Sequence, residues 1–307
     1  MTTTTRHPEI LRYTAFSDAP EGGNPAGVVL DATGLTDAEQ LAIAAELGYS
    51  ETAFFTAPPA ELVGRDRAYT VRFFSPRAEV SFCGHATIAA SIAYAERHGP
   101  GDLLLATPAG TVPVEVSGAT DGTLRATLTS VEPAVHMVAE DDVDEALQAL
   151  DWTRADLDPQ FPPRIGYAGA RHLILAARTR ARLADLAYDF ERLEHFMTAL
   201  DLTTVQLVWR ESTTVFHVRD PFPVGGVVED PATGAAAAAF GAYARELGLV
   251  PEETVLHLHQ GADMGRPGEL RVELYAGDPR VRVSGTGTRI PETGAGSEAA
   301  PHPDHAR

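Results

Sequence analysis

The chain contains no lysine: all 24 basic residues among its 307 are arginines, set against 43 acidic ones. Codon bias explains such a skew, but the chemical consequence holds whatever the cause. There is no imine-forming amine for pyridoxal phosphate or an aldolase-type step, and no P-loop lysine for a nucleotide phosphate. Cysteine is nearly as scarce. With Cys83 alone, internal disulfides are excluded. The sole asparagine, Asn24, precedes Pro25 and cannot accept a glycan. Long apolar runs are missing too: none approaches the roughly 20 residues that span a bilayer. The opening MTTTTRHPEI lacks the apolar segment of a secretion signal. A soluble, cytoplasmic protein is the expectation. A net charge of -19 repels phosphate backbones and anionic lipid heads, so neither nucleic acid nor membrane is expected as a partner.

What is present is apolar and strand-rich. The hydrophobic share of 44% supports a sizeable core, and the length favours two domains of ordinary size. Period-two patterns rich in β-branched and aromatic residues predict strands in YTAFSD, AGVVLDA, AYTVRFFSP, LRATLTSV, RHLILAA, TTVQLVWR, TTVFHV, ETVLHLH, LRVELYAG and RVRVSG. Helices are fewer. TDAEQLAIAAELG carries a capping box at Thr36 and Glu39, an apolar face of Leu41, Ala44, Ala45 and Leu47, and a stop at Gly48. DDVDEALQAL and DFERLEHFMTAL have acidic first turns suited to the helix dipole.

HATIAASIAYAERHG and ATGAAAAAFGAYARELG are helical in composition but apolar on nearly every side, so they must be surrounded. Aligning Tyr94, Ala95 and Gly99 with Tyr243, Ala244 and Gly248 gives one constant offset, about half the chain. That is an internal two-fold repeat. An α+β architecture follows, with two pseudo-symmetric halves, each a mostly antiparallel sheet wrapped around its own buried helix. The expected division is 1–120 and 121–284, a last strand near 285–290 returning to the first half, and a tail at 291–307. His302 and His305 belong to that tail rather than to a metal site.

Each inner helix follows a glycine turn, FCGHAT and EDPATGAA, and helix-start N–H groups attract anions. Two such starts related by pseudo-symmetry can face one cleft and hold a carboxylate. His85 stands at an apolar helix start, where the dipole disfavours the imidazolium; a neutral ring can give or take a proton, or merely cap the turn. Asp230, before Pro231, suits either a site acid or a helix cap. Glu51 enters an apolar strand, where partial desolvation would make it a better general base, although a surface glutamate fits equally.

The ordered stretches GGNPAGVVLDATGLTDAEQLAIAAELGYSETAFF, FFSPRAEVSFCGHATIAA, VVEDPATGAAAAAFGAYARELG, HQGADMGRPGELRVEL and VRVSGTG resemble the PhzF-type isomerases of phenazine biosynthesis, over about Tyr13 to Ile290. The resemblance implies the diaminopimelate-epimerase fold and a cofactor-independent isomerase acting on a small carboxylate-bearing substrate, frequently as a homodimer. It implies that Glu51 is the proton-shuttling acid/base, assisted by His85 and Asp230, and that Ser50, Gly84 and Gly234 hold the substrate. Where the family has a serine, this chain has Ala235, which removes a hydroxyl from the substrate carboxylate. Epimerases of this fold use two thiols, which one cysteine cannot supply. Cys83 is therefore expected to be a small buried neighbour of His85.

Two rivals remain: a single-thiol epimerase or hydrolase led by Cys83, and a non-catalytic sensor of a small acid on the same scaffold. No metal is expected. His257 and His259 share a strand face without Cys or carboxylate partners close in sequence.

Overall fold

A computed structural model describes residues 8–291. The sequence positions 292–307, including His302 and His305, lie outside the described residues. Six α-helices occur among those described: α1 (Asp37–Leu47), α2 (Gly84–His98), α3 (Glu140–Ala149), α4 (Arg180–Ala184), α5 (Phe190–Ala199) and α6 (Gly234–Glu246). Eighteen strands are linked by hydrogen bonds into one network, which curves around α2 and α6.

The strand pairing repeats. Leu11–Ala15 runs antiparallel to Asn24–Val29, which lies parallel to Glu51–Thr56, which pairs antiparallel with Ala68–Phe74. In the second half, Arg164–Tyr167, Arg171–Ala176, Thr204–Arg210 and Val215–Pro221 follow the same order with the same senses. Each series then continues in parallel after its inner helix, to Leu103–Thr107 in one case and Thr254–Gln260 in the other.

The chain joins these series reciprocally. The 116–125 stretch forms the tip of a hairpin between Gly110–Gly118 and Leu124–Thr129. After it, Ala134–Met137 pairs with Arg164–Tyr167, whereas the late strand Gly287–Arg289 returns to pair with Leu11–Ala15. Arg282–Gly285 against Leu124–Thr129 completes the connection.

Alanine permits the close approach. Eleven successive residues of α2, His85 to Ala95, are buried, and so are nine of α6, Ala236 to Ala244. Gly241 is one of the latter, and a Cβ there would come 2.7 Å from Val272 Cγ1, so the sheet packs directly on the helix backbone. The helix starts, Gly84 and Gly234, are separated by one residue more than the aligned tyrosines; the repeat is shifted by a residue within the helices.

At α1 the capping box forms as expected, with Thr36 N donating to Glu39 Oε2 at 2.8 Å, and Gly48 ends the helix in the left-handed region at φ 67°. Its inner face differs from the apolar pattern. Ala45 is exposed, while Gln40 is buried, its amide nitrogen donating to the Leu35 carbonyl.

Candidate active site

Glu51 is the first residue of its strand, and Cys83 caps α2, two residues before His85. The strand and the helix start converge, so side chains 32 to 35 residues apart in sequence meet. Cys83 Sγ lies 3.3 Å from Glu51 Oε2 and 3.3 Å from His85 Nδ1. His85 Nε2 is 3.5 Å from Glu51 Oε2 and 3.2 Å from Ser50 Oγ. His85 and Cys83 are buried, Glu51 retains 18% exposure, and Ser50 is exposed. Exposure is graded across the cluster: Ser50 outermost, Glu51 partly covered, His85 and Cys83 within.

Cys83 is the small buried neighbour of His85 that was expected, and it also touches Glu51. Burial, and then the neighbouring Glu51 carboxylate, push its thiol well above the ordinary range, so the sulfur keeps its proton and donates to Glu51.

The second half contributes Asp230, from the short strand Glu229–Asp230 just before α6. Burial raises its pKa; the His85 charge opposes that rise, and the Glu51 charge adds to it. Asp230 therefore lies within the electrostatic reach of both first-half groups. Its oxygens are fixed separately: Asn24 Nδ2 donates to Oδ1 at 2.9 Å and Thr233 Oγ1 to Oδ2 at 2.6 Å. Gln260 Nε2 donates to the Asp230 carbonyl at 2.8 Å, and Gln260 Oε1 accepts from Thr233 N at 2.9 Å. Gly84, Gly234 and Ala235 are half-buried at the two helix starts, where backbone N–H groups present a partial positive charge.

The structure thus brings together the expected Glu51, His85 and Ser50, with Asp230 within electrostatic reach of Glu51 and His85. Asn24, Thr233 and Gln260 were not anticipated. A sole asparagine inside a Gly-Gly-Asn-Pro turn was the available signal for the first. The turn itself is tight: Gly23 adopts φ 55°, and a Cβ there would meet the Ala15 carbonyl at 2.1 Å.

The strand histidine His257 is satisfied within the sheet, by a carboxylate that is not adjacent in sequence. His257 Nδ1 sits 2.8 Å from Glu269 Oε1, a carboxylate that the hairpin brings beside it from twelve residues away. Two surface cavities, of about 230 and 540 Å³, are lined by residues other than this constellation.

Residues 13–293 fit the PhzC-PhzF family, described as phenazine biosynthesis-like protein. The chain belongs to this family. It is 30% identical over 290 residues to the uncharacterized isomerase YfhB of Bacillus subtilis (strain 168), covering 92% of this chain and 96% of that one. It is also 30% identical to the trans-2,3-dihydro-3-hydroxyanthranilate isomerase of Pseudomonas chlororaphis, covering 89% and 94%. The crystal structure of a PhzF-family phenazine biosynthesis protein from Bacillus anthracis superimposes with a TM-score of 0.81 at 24% identity, covering 92% of this chain and 98% of that one. The α+β epimerase-like architecture expected from the sequence is the fold of this PhzF family member. The name isomerase recurs among the relatives.

Proposed function

We propose that this isomerase-family protein moves a proton within a small carboxylate-bearing substrate, with Glu51 as the acid/base and without a cofactor. The observation that carries the reading is the position of Glu51. Its carboxylate, 18% exposed, lies 3.5 Å from His85 Nε2 and acts electrostatically on the buried Asp230.

In this reading Glu51 takes an acidic C–H proton and returns it to another carbon on the same face of the substrate. A positioned carboxyl contributes roughly 10²–10⁴-fold to such a transfer. His85 and Asp230 stabilise the enol-like charge, Asp230 from a carboxyl that burial biases toward its protonated form. The two helix starts receive the substrate carboxylate, with Ser50 at the entrance.

The anthranilate-type substrate in the name of the Pseudomonas chlororaphis relative points to a cyclic amino or hydroxy acid. Ala235 offers a backbone N–H but no side-chain hydroxyl, which favours a substrate whose carboxylate is held differently from the family pattern.

The test is solvent exchange. Small amino and hydroxy carboxylic acids are screened in heavy water for deuterium incorporation, and the active one is repeated with Glu51→Gln. Incorporation should disappear; exchange retained at the wild-type rate removes Glu51 from the role. A second reading, chemistry led by the Cys83 thiol, is motivated by its contact with both Glu51 and His85, but the upward shift of the thiol works against it.

A further inference from the structure

We infer that Glu51, Cys83 and His85 form a capture site for a soft divalent cation of the Zn²⁺ class, which competes with substrate for the same lone pairs. The three side chains supply a carboxylate oxygen, a sulfur and an imidazole nitrogen, all within 4.8 Å of one another. That donor set, with a soft sulfur and a borderline nitrogen, suits zinc rather than magnesium or calcium.

The spacing fits as well. A tetrahedral ion at about 2.3 Å from sulfur and about 2.0–2.1 Å from nitrogen and oxygen holds its ligand atoms roughly 3.3–3.5 Å apart. Here Cys83 Sγ to Glu51 Oε2 is 3.3 Å, His85 Nε2 to Glu51 Oε2 is 3.5 Å, and Cys83 Sγ to His85 Nε2 is 3.9 Å. Small rotations of the side chains close the last distance. Ser50 is exposed and lies 3.2 Å from His85 Nε2, so this side of the cluster is open to water that can complete the shell.

Charge balance favours the ion. Capture replaces the thiol proton with metal and releases that proton to solvent, so a dication meets one thiolate, one carboxylate and a neutral imidazole. The net charge of the buried shell is zero. The histidines of the outer sheet face lack this convergence, since His217 pairs with Glu211 and His257 with Glu269 individually.

Binding of the ion does not depend on the isomerase reading; only its inhibitory consequence does, because the ion occupies the oxygen Glu51 would use on substrate. The experiment therefore needs no substrate. The full-length protein is titrated with Co²⁺, the spectroscopic stand-in for Zn²⁺. Cys83 is the only sulfur donor of the cysteine type in the chain, so a thiolate-to-cobalt charge-transfer band reports this site alone. The band should saturate at one Co²⁺ per chain, vanish on addition of Zn²⁺, and be missing in Cys83→Ser.

Glu51→Gln should keep the band but need at least about 10-fold more cobalt, the lower end of the range for loss of even a supporting contact. His257→Ala combined with His259→Ala should leave it unchanged. Failure of the wild-type protein to develop the band, or equal cobalt affinity in Glu51→Gln, overturns the site.

Discussion

Asn24 and Asp230 are 206 residues apart in sequence, yet the amide of one donates to the carboxylate of the other at 2.9 Å inside the protein. The same amide reaches the Ala232 carbonyl at 3.1 Å, so one side chain from the first half holds both ends of the turn that leads into α6. Asn24→Ala removes both bonds and leaves two buried acceptors short of a donor. A loss of about 1–3 kcal/mol in urea unfolding is expected, together with a fall in substrate-dependent proton exchange as Asp230 is released. Unchanged stability would mean that the amide is dispensable to the turn.

Cys83 is chemically quiet despite its company. A buried thiol shifted upward presents little thiolate at neutral pH, so native protein should react with iodoacetamide far more slowly than the same protein in denaturant. Cys83→Ala should retain proton exchange within about tenfold, a smaller loss than the roughly 10²–10⁴-fold of a general acid/base group. Complete loss of exchange in a folded variant would transfer the leading role to the sulfur.

Arg219 and Glu229 form a forked ion pair that is almost wholly buried, with Arg219 Nε donating to Glu229 Oε1 at 2.9 Å. Glu229 immediately precedes Asp230, so the pair anchors the short strand that delivers the acid. Arg219→Met strands a carboxylate in the interior and should cost about 3–5 kcal/mol. Adding Glu229→Gln should recover most of that loss, and chemical denaturation of the two variants compares them directly.

A buried relay runs from His172 Nδ1 to Thr204 Oγ1 at 2.8 Å and from Thr204 Oγ1 to Asp220 Oδ1 at 2.7 Å. Burial lowers the His172 pKa to about 3 from its ordinary 6.5. Because the unfolded chain then binds a proton that the folded one refuses, stability falls as pH drops from 6.5 toward 3, by up to about 1.4 kcal/mol per pH unit. Asp220 works in the opposite sense. Burial raises its pKa well above the usual value, so its contribution is full below that usual value and is lost as pH rises through the folded one. His172→Gln should flatten the acid limb of a stability-against-pH curve, whereas Asp220→Asn should raise stability on the alkaline side. Parallel curves for wild type and both variants would refute these assignments.

The inner helices were legible because alanine-rich segments without a polar face have nowhere to go but inside. Glu51, His85 and Asp230 were legible because each sits beside a turn that its neighbours specify: Gly48 before Glu51, Gly84 before His85, Pro231 after Asp230. Asn24 and Gln260 were not, since nothing in their local context shows that the fold carries both to one turn. The strands Leu103–Thr107 and Gly110–Gly118 also escaped notice. The second does alternate, with Val114 and Val116 inward and their neighbours exposed, but Pro113 interrupts the run, and a proline inside a run argues against a strand. Gln40 on α1 belongs to the same class: a polar residue goes inward when a carbonyl waits there.

The return of Gly287–Arg289 to Leu11–Ala15 sets an order on biosynthesis. Leu11–Ala15 leaves the ribosome well before that partner is made, a delay on the order of tens of seconds at ordinary elongation rates. During that interval the nascent N-terminal half carries an open sheet edge, a template for wrong pairings. Gly287–Arg289 then acts as the clasp that shuts the earlier-made sheet.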